Sequence, residues 1–311
     1  MNKISLPTRD AFGAILMELA EETKNLYVVD ADIGTSMRTT EFSRKYPDYH
    51  VNVGIAEQCC AGVAAGLATL GKIPFISTYA VFGSMRMIEQ IRQSICYPNL
   101  NVKIACSHGG LTPANDGGSH QGIEDMGIMR TLPNMRVIMG ADYNSTKKLL
   151  EQMVKTDGPA YIRFTRDAVP GIYDEDEEFT IGIAKTLRKG SDITIIAIGD
   201  VMILALEAHN RLQKIGISAR VIDMHTIKPI DDSAIKAAMK ETSGIITIED
   251  HNIIGGLGSA VCEVVGENGG CPVFRLGIRD KFGESGTYDV LLKEHKITTD
   301  EIVSKAKILL K

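Results

Sequence analysis

Short runs rich in β-branched residues alternate with longer segments of helical pattern along this chain, and that alternation limits the folds it can adopt. Each run has the length of one strand, and the segments between them have the length of crossover helices. The first group comprises LYVVD (26–30), IPFIST (73–78), NVKIACS (101–107), MRVIM (135–139) and AYIRFT (160–165), with helical segments at 57–70, 82–97 and 142–156. This order predicts a mainly parallel sheet with helices on both faces.

A second group of the same kind follows a break in the pattern. The pattern breaks at about 168–190, which contain Pro, Gly and an acidic run at 174–178, and the acidic run predicts a solvated linker. The second group comprises DITIIAIG (192–199), SARVIDM (218–224), SGIITIED (243–250) and CPVFRLG (271–277), with helices near 200–215, 231–241, 257–269 and 298–310. We therefore predict two three-layer α/β domains with mainly parallel sheets, at residues 1–178 and 179–311.

Charge and hydropathy exclude several classes of protein. The net charge is −5 and there is no basic tract, so nucleic acid is not an expected partner. The start of the chain lacks a signal-peptide core, and no run approaches the roughly 18 apolar residues of a membrane span. The six cysteines show no C-x-x-C spacing and are expected to be small buried residues. These features predict a cytoplasmic enzyme.

A carboxyl group stands where the segment NVGIAEQCCAGVAAGLATLG (52–71) changes from strand to helix. Open α/β sheets bind ligands beyond the carboxyl ends of their strands. Glu57 could alternatively do no more than stabilise the helix N-terminus. The helix consists mostly of small apolar residues, which predicts burial, and a buried carboxyl needs a partner or a proton.

Two aromatic residues directly follow the next strand. Tyr79 and Phe82 belong to a chain with 5% aromatic residues and no Trp. A pair of rings at a strand end can form a platform for a flat ring. Core packing of each residue is the alternative interpretation.

The segment SHGGLTPANDGGSHQGIEDMGIMR (107–130) contains a glycine-rich loop that carries His108, Asp116 and His120. Its glycine pairs permit backbone conformations that other residues resist, and a long loop in a compact domain is often functional. Metal binding is the competing interpretation, but the separation of the two histidines matches no common zinc spacing.

Eight motifs, taken in order, resemble the C-terminal half of transketolases and of the related deoxyxylulose-phosphate synthases. They cover nearly the whole chain: TRDAFG (8–13), DADIGTS (30–36), NVGIAEQ (52–58), STYAVF (77–82), HGGLTPANDGGSHQ (108–121), FTRD (164–167), TIKPID (226–231) and EDHNIIGGLGSAV (249–261). The resemblance implies a pyrimidine-binding domain followed by a smaller transketolase C-terminal domain.

The diphosphate-binding domain of that family has a G-D-G…N-N signature, which we do not find. The nearest sequence, at 199–201, lacks the second Gly and the Asn pair. The resemblance therefore implies a complementary subunit that carries this domain and holds most of the Mg²⁺ ligands. It also implies a cofactor site between chains and favours a heterotetramer. No residue of this chain is predicted to bind a metal.

The resemblance assigns cofactor roles to four positions. Glu57 would hydrogen-bond the pyrimidine N1′ of thiamine diphosphate and favour its imino tautomer. Phe82, with Tyr79 beside it, would stack on the pyrimidine ring. Asp32 matches a position close to the cofactor.

Substrate roles are assigned in the same way. Four positions match those that bind the sugar phosphate, and these are Arg9, Ser36, His108 and Arg166. The two arginines suit a forked phosphate contact. Asp116 and His120 match groups that orient the donor hydroxyls, and His120 is also a predicted catalytic proton carrier.

Two departures from the family pattern concern the site. Ala114-Asn115 stands where many relatives have Gly-Glu, which replaces a carboxylate by an amide. Glu89 stands where relatives commonly have Asp. The first change bears on substrate choice.

The implied reaction transfers a two-carbon ketol unit from a ketose phosphate to an aldose, in the pentose phosphate route or a dedicated catabolic one. Within enzymes, the alternative is a deoxyxylulose-phosphate-synthase-like or 2-oxoacid-dehydrogenase beta-like subunit. The predicted phosphate-binding residues disfavour a 2-oxoacid dehydrogenase, because the donor of that enzyme has no phosphate. A non-catalytic assembly subunit is the alternative from another class, and the joint presence of Glu57, Phe82, His108 and His120 argues against it.

Overall fold

Parallel strands form two sheets, in a computed structural model that describes residues 4–311. The strands are β1 (Leu6–Pro7), β2 (Leu26–Asp30), β3 (His50–Asn52), β4 (Ile73–Tyr79), β5 (Lys103–Ser107), β6 (Arg136–Ile138), β7 (Ala160–Arg163), β8 (Ala168–Val169), β9 (Lys185–Arg188), β10 (Ile193–Ala197), β11 (Ala219–Asp223), β12 (Thr226–Lys228), β13 (Ile245–Asn252) and β14 (Val273–Ile278). The helices are α1 (Thr8–Glu22), α2 (Gly34–Met37), α3 (Thr40–Lys45), α4 (Glu57–Thr69), α5 (Ala80–Met85), α6 (Ile88–Gln90), α7 (Asp125–Thr131), α8 (Tyr143–Lys155), α9 (Met202–Gln213), α10 (Asp232–Glu241), α11 (Leu257–Glu267), α12 (Tyr288–Glu294) and α13 (Thr299–Leu309).

The larger sheet has seven strands in the order β12-β6-β7-β5-β4-β2-β3. Every neighbouring pair from β6 to β3 is parallel, and β12 alone pairs antiparallel. The second sheet has the order β14-β13-β10-β11-β9, with β9 antiparallel at its edge. This architecture confirms the predicted α/β fold with mainly parallel sheets.

Successive strand residues face two separate apolar cores. In β4, Phe75 packs with one core and Ile76 with the other, and β10 divides Ile195 and Ile196 in the same way. Helices α1, α8, α9 and α13 contribute to the first core, whereas α4, α10 and α11 contribute to the second. Because side chains alternate across a strand, each sheet is covered on both faces, as the three-layer prediction required.

Strand β12 joins the two halves of the molecule. It lies beyond the predicted boundary in sequence, yet it pairs with β6, so that Thr226 is opposite Ile138 and Lys228 is opposite Val137. Lys228 also donates from Nζ to the carbonyl oxygen of Arg130 over 2.9 Å. The boundary at residues 178 and 179 stays a prediction, but the larger sheet draws strands from both sides of it.

Several local predictions were wrong. Residues 185–188, for which no strand was predicted, form β9, because their backbone groups complete the edge of the second sheet. The predicted helix at 82–97 is divided into α5, α6 and a π-helical segment at Ile91–Cys96. The interruption lies at Met87, whose φ of −114° departs from helix geometry and whose side chain is fully buried. The helices without a predicted counterpart are α1, α2, α3, α7 and α12.

The cysteines are reduced, and they differ in exposure. Cys60, Cys96 and Cys106 are buried as expected, whereas Cys59 on α4 is exposed. Cys262 and Cys271 are half-buried. Within residues 4–311, no helix is long and apolar enough to cross a bilayer.

A buried carboxyl anchors the segment between the two sheets. Tyr173 donates its hydroxyl to Asp223 Oδ2 over 2.7 Å, and its ring meets Phe179 edge to face. Burial raises the pKa of Asp223 to about 7, and the charge of Asp142 adds to that effect. Asp223 therefore holds its proton more readily in the folded chain than in the unfolded chain.

We expect Asp223→Asn to reduce the pH dependence of stability. The raised pKa of Asp223 gives a contribution that is full below the unfolded value of about 3.9 and is lost as the pH rises through 7. An asparagine has no such titration, so the free energy of unfolding should fall less between pH 5 and pH 8. Chemical denaturation at both pH values measures this difference, and an unchanged slope would contradict the assignment.

Candidate active site

The predicted site residues other than Arg9, which lies in α1, follow the carboxyl ends of five neighbouring parallel strands. Glu57 comes after β3, and Asp32 and Ser36 come after β2. The remaining strands contribute to the same edge in the following order: Tyr79 and Phe82 from β4, His108, Asp116 and His120 from β5, and Arg166 from β7. Strands in parallel register end at one edge of a sheet, so residues distant in sequence meet there.

Aromatic and imidazole rings form the centre of this edge. The ring of Tyr79 lies 4.0 Å from that of His108 and 5.9 Å from that of Phe82, measured between centroids. His120 meets Phe82 edge to face at 5.6 Å and Tyr79 at 6.2 Å. The four predicted rings therefore share one cluster, and none is isolated in the core.

Hydroxyl and guanidinium groups border the ring cluster. Tyr79 donates its hydroxyl to Ser36 Oγ over 2.9 Å, and Arg9 Nη1 donates to the Ser36 carbonyl oxygen over 3.1 Å. The Nε of Arg9 is buried and has no hydrogen-bond partner among residues 4–311. Such a donor needs an acceptor from outside these residues.

Arg166 follows β7, and its side chain contacts the glycine-rich loop. Its Nη1 donates to the Pro113 carbonyl oxygen over 2.7 Å and lies 3.3 Å from Asp116 Oδ2. The Asp116 side chain is 39% exposed and that of Arg166 is 33% exposed. The pair is therefore reachable from solvent, as a substrate contact requires.

Burial and neighbouring cations keep His108 neutral. Its side chain is buried, and the charges of Arg9 and Arg166 add to the effect of burial, which together lower the pKa of His108 to about 3. Its Nδ1 lies 2.6 Å from Ser107 Oγ. A neutral imidazole between two arginines can accept or donate a hydrogen bond without adding charge.

Glu57 is bound by a residue that the sequence analysis missed. It is 6% exposed at the start of α4, and Arg86 Nη1 donates to its Oε1 over 2.8 Å. The guanidinium of Arg86 also lies 3.9 Å from the centroid of the Phe82 ring. The spacing of four residues between Phe82 and Arg86, which places them on one helix face, was the available signal.

Asp32 lies at the border of the cluster. It shares a polar cleft of about 370 Å³ with Ser36, and Asn52 Nδ2 donates to its Oδ1 over 2.9 Å. Its φ of 63° is in the left-handed region, which tolerates Asp better than most residues. Asp32 has no described contact with the four rings. It belongs to the site only because it lines the same cleft as Ser36.

The departure at Ala114-Asn115 has a structural counterpart. Ala114 has a φ of 55°, a conformation that suits Gly, and it begins a 3₁₀ turn at Ala114–Asp116. Asn115 is exposed beside Asp116. An amide therefore replaces the usual carboxylate on the solvent side of the loop.

Comparison with known families agrees with this geometry. The profile described as "Transketolase, pyrimidine binding domain" matches residues 5–171, and that of "Transketolase, C-terminal domain" matches residues 182–302. A Methanocaldococcus jannaschii protein described as a transketolase C-terminal section is 45% identical over 300 residues, which cover 96% of this chain and 94% of that one. The chain belongs to the transketolase family.

Its relatives of matching length are parts of split enzymes. The 6-deoxy-6-sulfo-D-fructose transketolase subunit of Clostridium sp. strain MSTE9 is 40% identical over 298 residues, covering 96% of this chain and 92% of that subunit. A solved split gene transketolase, named as an inactive beta4 tetramer, superposes with a TM-score of 0.91 at 43% identity and 99% coverage of both chains. Within the family, this chain thus matches the separate C-terminal subunit over nearly its full length.

The deoxyxylulose-phosphate-synthase alternative is more distant. The 1-deoxy-D-xylulose-5-phosphate synthase of Bacillus cereus strain AH820 is 35% identical over 295 residues. That match covers 93% of this chain and 46% of the synthase. The chain is therefore more similar to the split transketolase subunits.

We expect His108 to stay neutral from pH 8 to pH 5. Its pKa of about 3 places the titration below this range, because burial and the arginines oppose a positive charge. Long-range ¹H–¹⁵N spectra of the imidazole nitrogens report the protonation state, and His108→Asn identifies the signal. A titration midpoint between pH 6 and pH 7 would contradict the described environment.

Proposed function

We propose that the chain is the pyrimidine-binding subunit of a split transketolase. It would transfer a two-carbon ketol unit from a ketose phosphate to an aldose, with thiamine diphosphate as cofactor and only in complex with a partner subunit. The observation that carries the proposal is the buried carboxyl of Glu57 beside the ring of Phe82, at the edge where five parallel strands end.

The Glu57–Phe82 pair fits an aminopyrimidine. The flat guanidinium of Arg86 already lies on the Phe82 ring and donates a hydrogen bond to Glu57. An aminopyrimidine is also flat and presents nitrogen to a carboxyl, so the same two groups could hold it. The Arg86 side chain is 50% exposed and can move aside into solvent. Tyr79 and His120 would border the ring from the other strands.

The basic residues around His108 fit the phosphate of a sugar. Arg9 has an unpaired buried Nε, and Arg166 presents a partly exposed guanidinium. Neutral His108 lies between these cations and can donate to a phosphate or hydroxyl oxygen without repelling either arginine. Ser36 completes the set through its hydrogen bond with Tyr79. Arginine suits phosphate because its fork makes paired, charge-assisted hydrogen bonds.

Chain residues would do the binding and proton transfer. Thiamine diphosphate, when bound, supplies the carbanion chemistry that breaks and forms carbon–carbon bonds. Glu57 would share a proton with a pyrimidine nitrogen. His120 would exchange protons with a donor hydroxyl, and Asp116 would orient that hydroxyl from the opposite side of the loop. Asp32 would border the cofactor from its cleft.

A partner subunit would provide the diphosphate-binding domain and most of the Mg²⁺ ligands, in a cytoplasmic heterotetramer. Two similarities support this part of the proposal. The Clostridium relative is named as a subunit, and the solved split transketolase is named as an inactive tetramer of beta chains. Full transketolase activity of this chain alone would therefore oppose the proposal.

The donor belongs to the class of ketose phosphates, in the pentose phosphate route or a dedicated catabolic route. Similar subunits are named for 6-deoxy-6-sulfo-D-fructose and for apulose 4-phosphate. These donors carry an anionic group at the end of the sugar. The cluster of Arg9, His108 and Arg166 is suited to such a group, and exposed Asn115 would set the preference near it.

We expect Glu57→Ala to abolish turnover in the reconstituted complex while leaving subunit assembly intact. The loss should be about 10²-fold or more, the scale of a missing proton-transfer group. Release of aldehyde from ketose phosphates, with thiamine diphosphate and Mg²⁺ present, measures turnover, and size-exclusion chromatography measures assembly. Glu267→Ala, an exposed glutamate on α11, is the matched control. Unchanged turnover in the Glu57 variant would refute the catalytic assignment.

We expect Arg166→Ala to raise the KM for phosphorylated donors about tenfold to hundredfold, since a charge-assisted hydrogen bond to phosphate is lost. The affinity for thiamine diphosphate should stay the same, because Arg166 has no described contact with Glu57 or Phe82. Initial rates over a donor series give KM, and Arg188→Ala on β9 serves as the exposed arginine control. Equal loss with phosphorylated and unphosphorylated donors would contradict the phosphate role.

A further inference from the structure

A network of buried charges joins the second sheet to the glycine-rich loop. Arg163, at the end of β7, lies 3.4 Å from Asp125 and 3.8 Å from Asp250, and its Nη2 donates to the Asp250 carbonyl oxygen over 2.6 Å. The side chains of all three are at most 1% exposed. Tyr161 donates to Asp125 over 2.5 Å, and Tyr288 donates to Asp250 over 3.2 Å.

The loop is bound by the Asp250 carboxylate. The backbone N–H of Leu111 donates to both carboxylate oxygens, over 3.1 Å to Oδ1 and 2.9 Å to Oδ2. Asp250 belongs to β13, and Leu111 is three residues from His108 in the loop. A carboxylate of the C-terminal part of the chain therefore fixes the backbone beside the predicted substrate residues.

Two glycines of this loop, Gly109 and Gly110, lie close to the same charged side chains. A Cβ on Gly110 would lie 2.1 Å from Arg163 Nη2 and 2.2 Å from Asp250 Oδ2, and one on Gly109 would lie 1.8 Å from Arg163 Nε. Gly110 has a φ of 58° and His108 a φ of 61°. Such backbone conformations persist only where the surroundings hold them. The close contacts with Arg163 and Asp250 hold the loop backbone in this conformation.

A second contact holds the other end of the loop. Gln121 Nε2 donates to the Glu284 carbonyl oxygen over 3.0 Å, and a Cβ on Gly118 would lie 2.7 Å from the Gly283 carbonyl oxygen. Asp116 and His120 lie between the two contacts in sequence. The C-terminal domain thus contacts the loop on both sides of Asp116 and His120.

We propose that Asp250 is a positioning residue, through which the C-terminal domain sets the conformation of the substrate-binding loop. Asp250 acts through the Leu111 amide and has no described contact with Glu57, Phe82 or the two site histidines. The substrate role of the loop rests on the proposed function, whereas the contact between Asp250 and the loop does not. Buried charges are costly unless they are paired, so loss of this carboxylate also leaves Arg163 undercompensated.

The test compares Asp250→Asn with Asp223→Asn. Both residues are buried carboxyls of the second sheet that accept from a tyrosine hydroxyl, but Asp223 has no described contact with the loop. Hydrogen–deuterium exchange of the isolated full-length chain should show faster exchange of residues 107–121 in Asp250→Asn alone. Unchanged exchange of this loop, or equal acceleration in both variants, would overturn the proposal whether or not the chain is a transketolase.

Kinetics of the reconstituted complex separates positioning from general loss of structure. In Asp250→Asn the KM for a ketose phosphate should rise about tenfold, while kcat and the dissociation constant of thiamine diphosphate change less than about twofold. A fall in kcat with an unchanged KM would overturn the positioning role. Tyr288→Phe removes the hydroxyl that donates to both Asp250 and Asp200, but it leaves the Asp250 carboxyl and its contact with the Leu111 amide in place. It should therefore shift loop exchange and KM in the same direction by a smaller factor. If Asp250→Asn does not fold, Tyr288→Phe is the deciding variant. Unchanged loop exchange and an unchanged KM in Tyr288→Phe would then refute the positioning role of Asp250.

Discussion

The parallel register of β3, β2, β4, β5 and β7 determines where the polar side chains of this protein meet. Polar or aromatic residues end or follow each of these strands at its carboxyl end. Since all five ends lie at one edge, Glu57, Tyr79 and His108 lie at the same edge of the sheet, although about fifty residues separate Glu57 from His108 in the sequence. The site is thus a consequence of sheet topology, and its chemistry depends on which residues occupy the loops.

Burial gives these residues different electrostatic properties. Burial and the charges of Arg9 and Arg166 hold His108 neutral. The imidazole can therefore donate or accept a hydrogen bond near these cations without adding a positive charge. Glu57 instead has a guanidinium partner that is itself half in solvent. A carboxyl with a displaceable partner can exchange that partner for a ligand, whereas the fully buried Arg163–Asp250 pair cannot.

Local sequence patterns predicted most of the regular structure and the identity of the ring cluster. Strands such as β2 and β10 are short, apolar and bounded by polar residues, so their periodicity is visible in sequence. The pairing of β12 with β6 depends on a contact across about ninety residues and leaves no local pattern. Asp250 also leaves no local pattern, because its proposed role depends on the backbone amide of Leu111. From the sequence, Leu111 is expected to be an ordinary core residue. Arg86 was missed because a single arginine on a helix is most often solvated.

Strand β12 has a consequence for dividing this polypeptide. It is the outer neighbour of β6, so separating the two halves would turn the side of β6 that faces away from β7 into an unpaired sheet edge. An unpaired sheet edge recruits other strands, which makes a severed fragment prone to self-association. The larger sheet is therefore complete only when the two halves of the chain stay together.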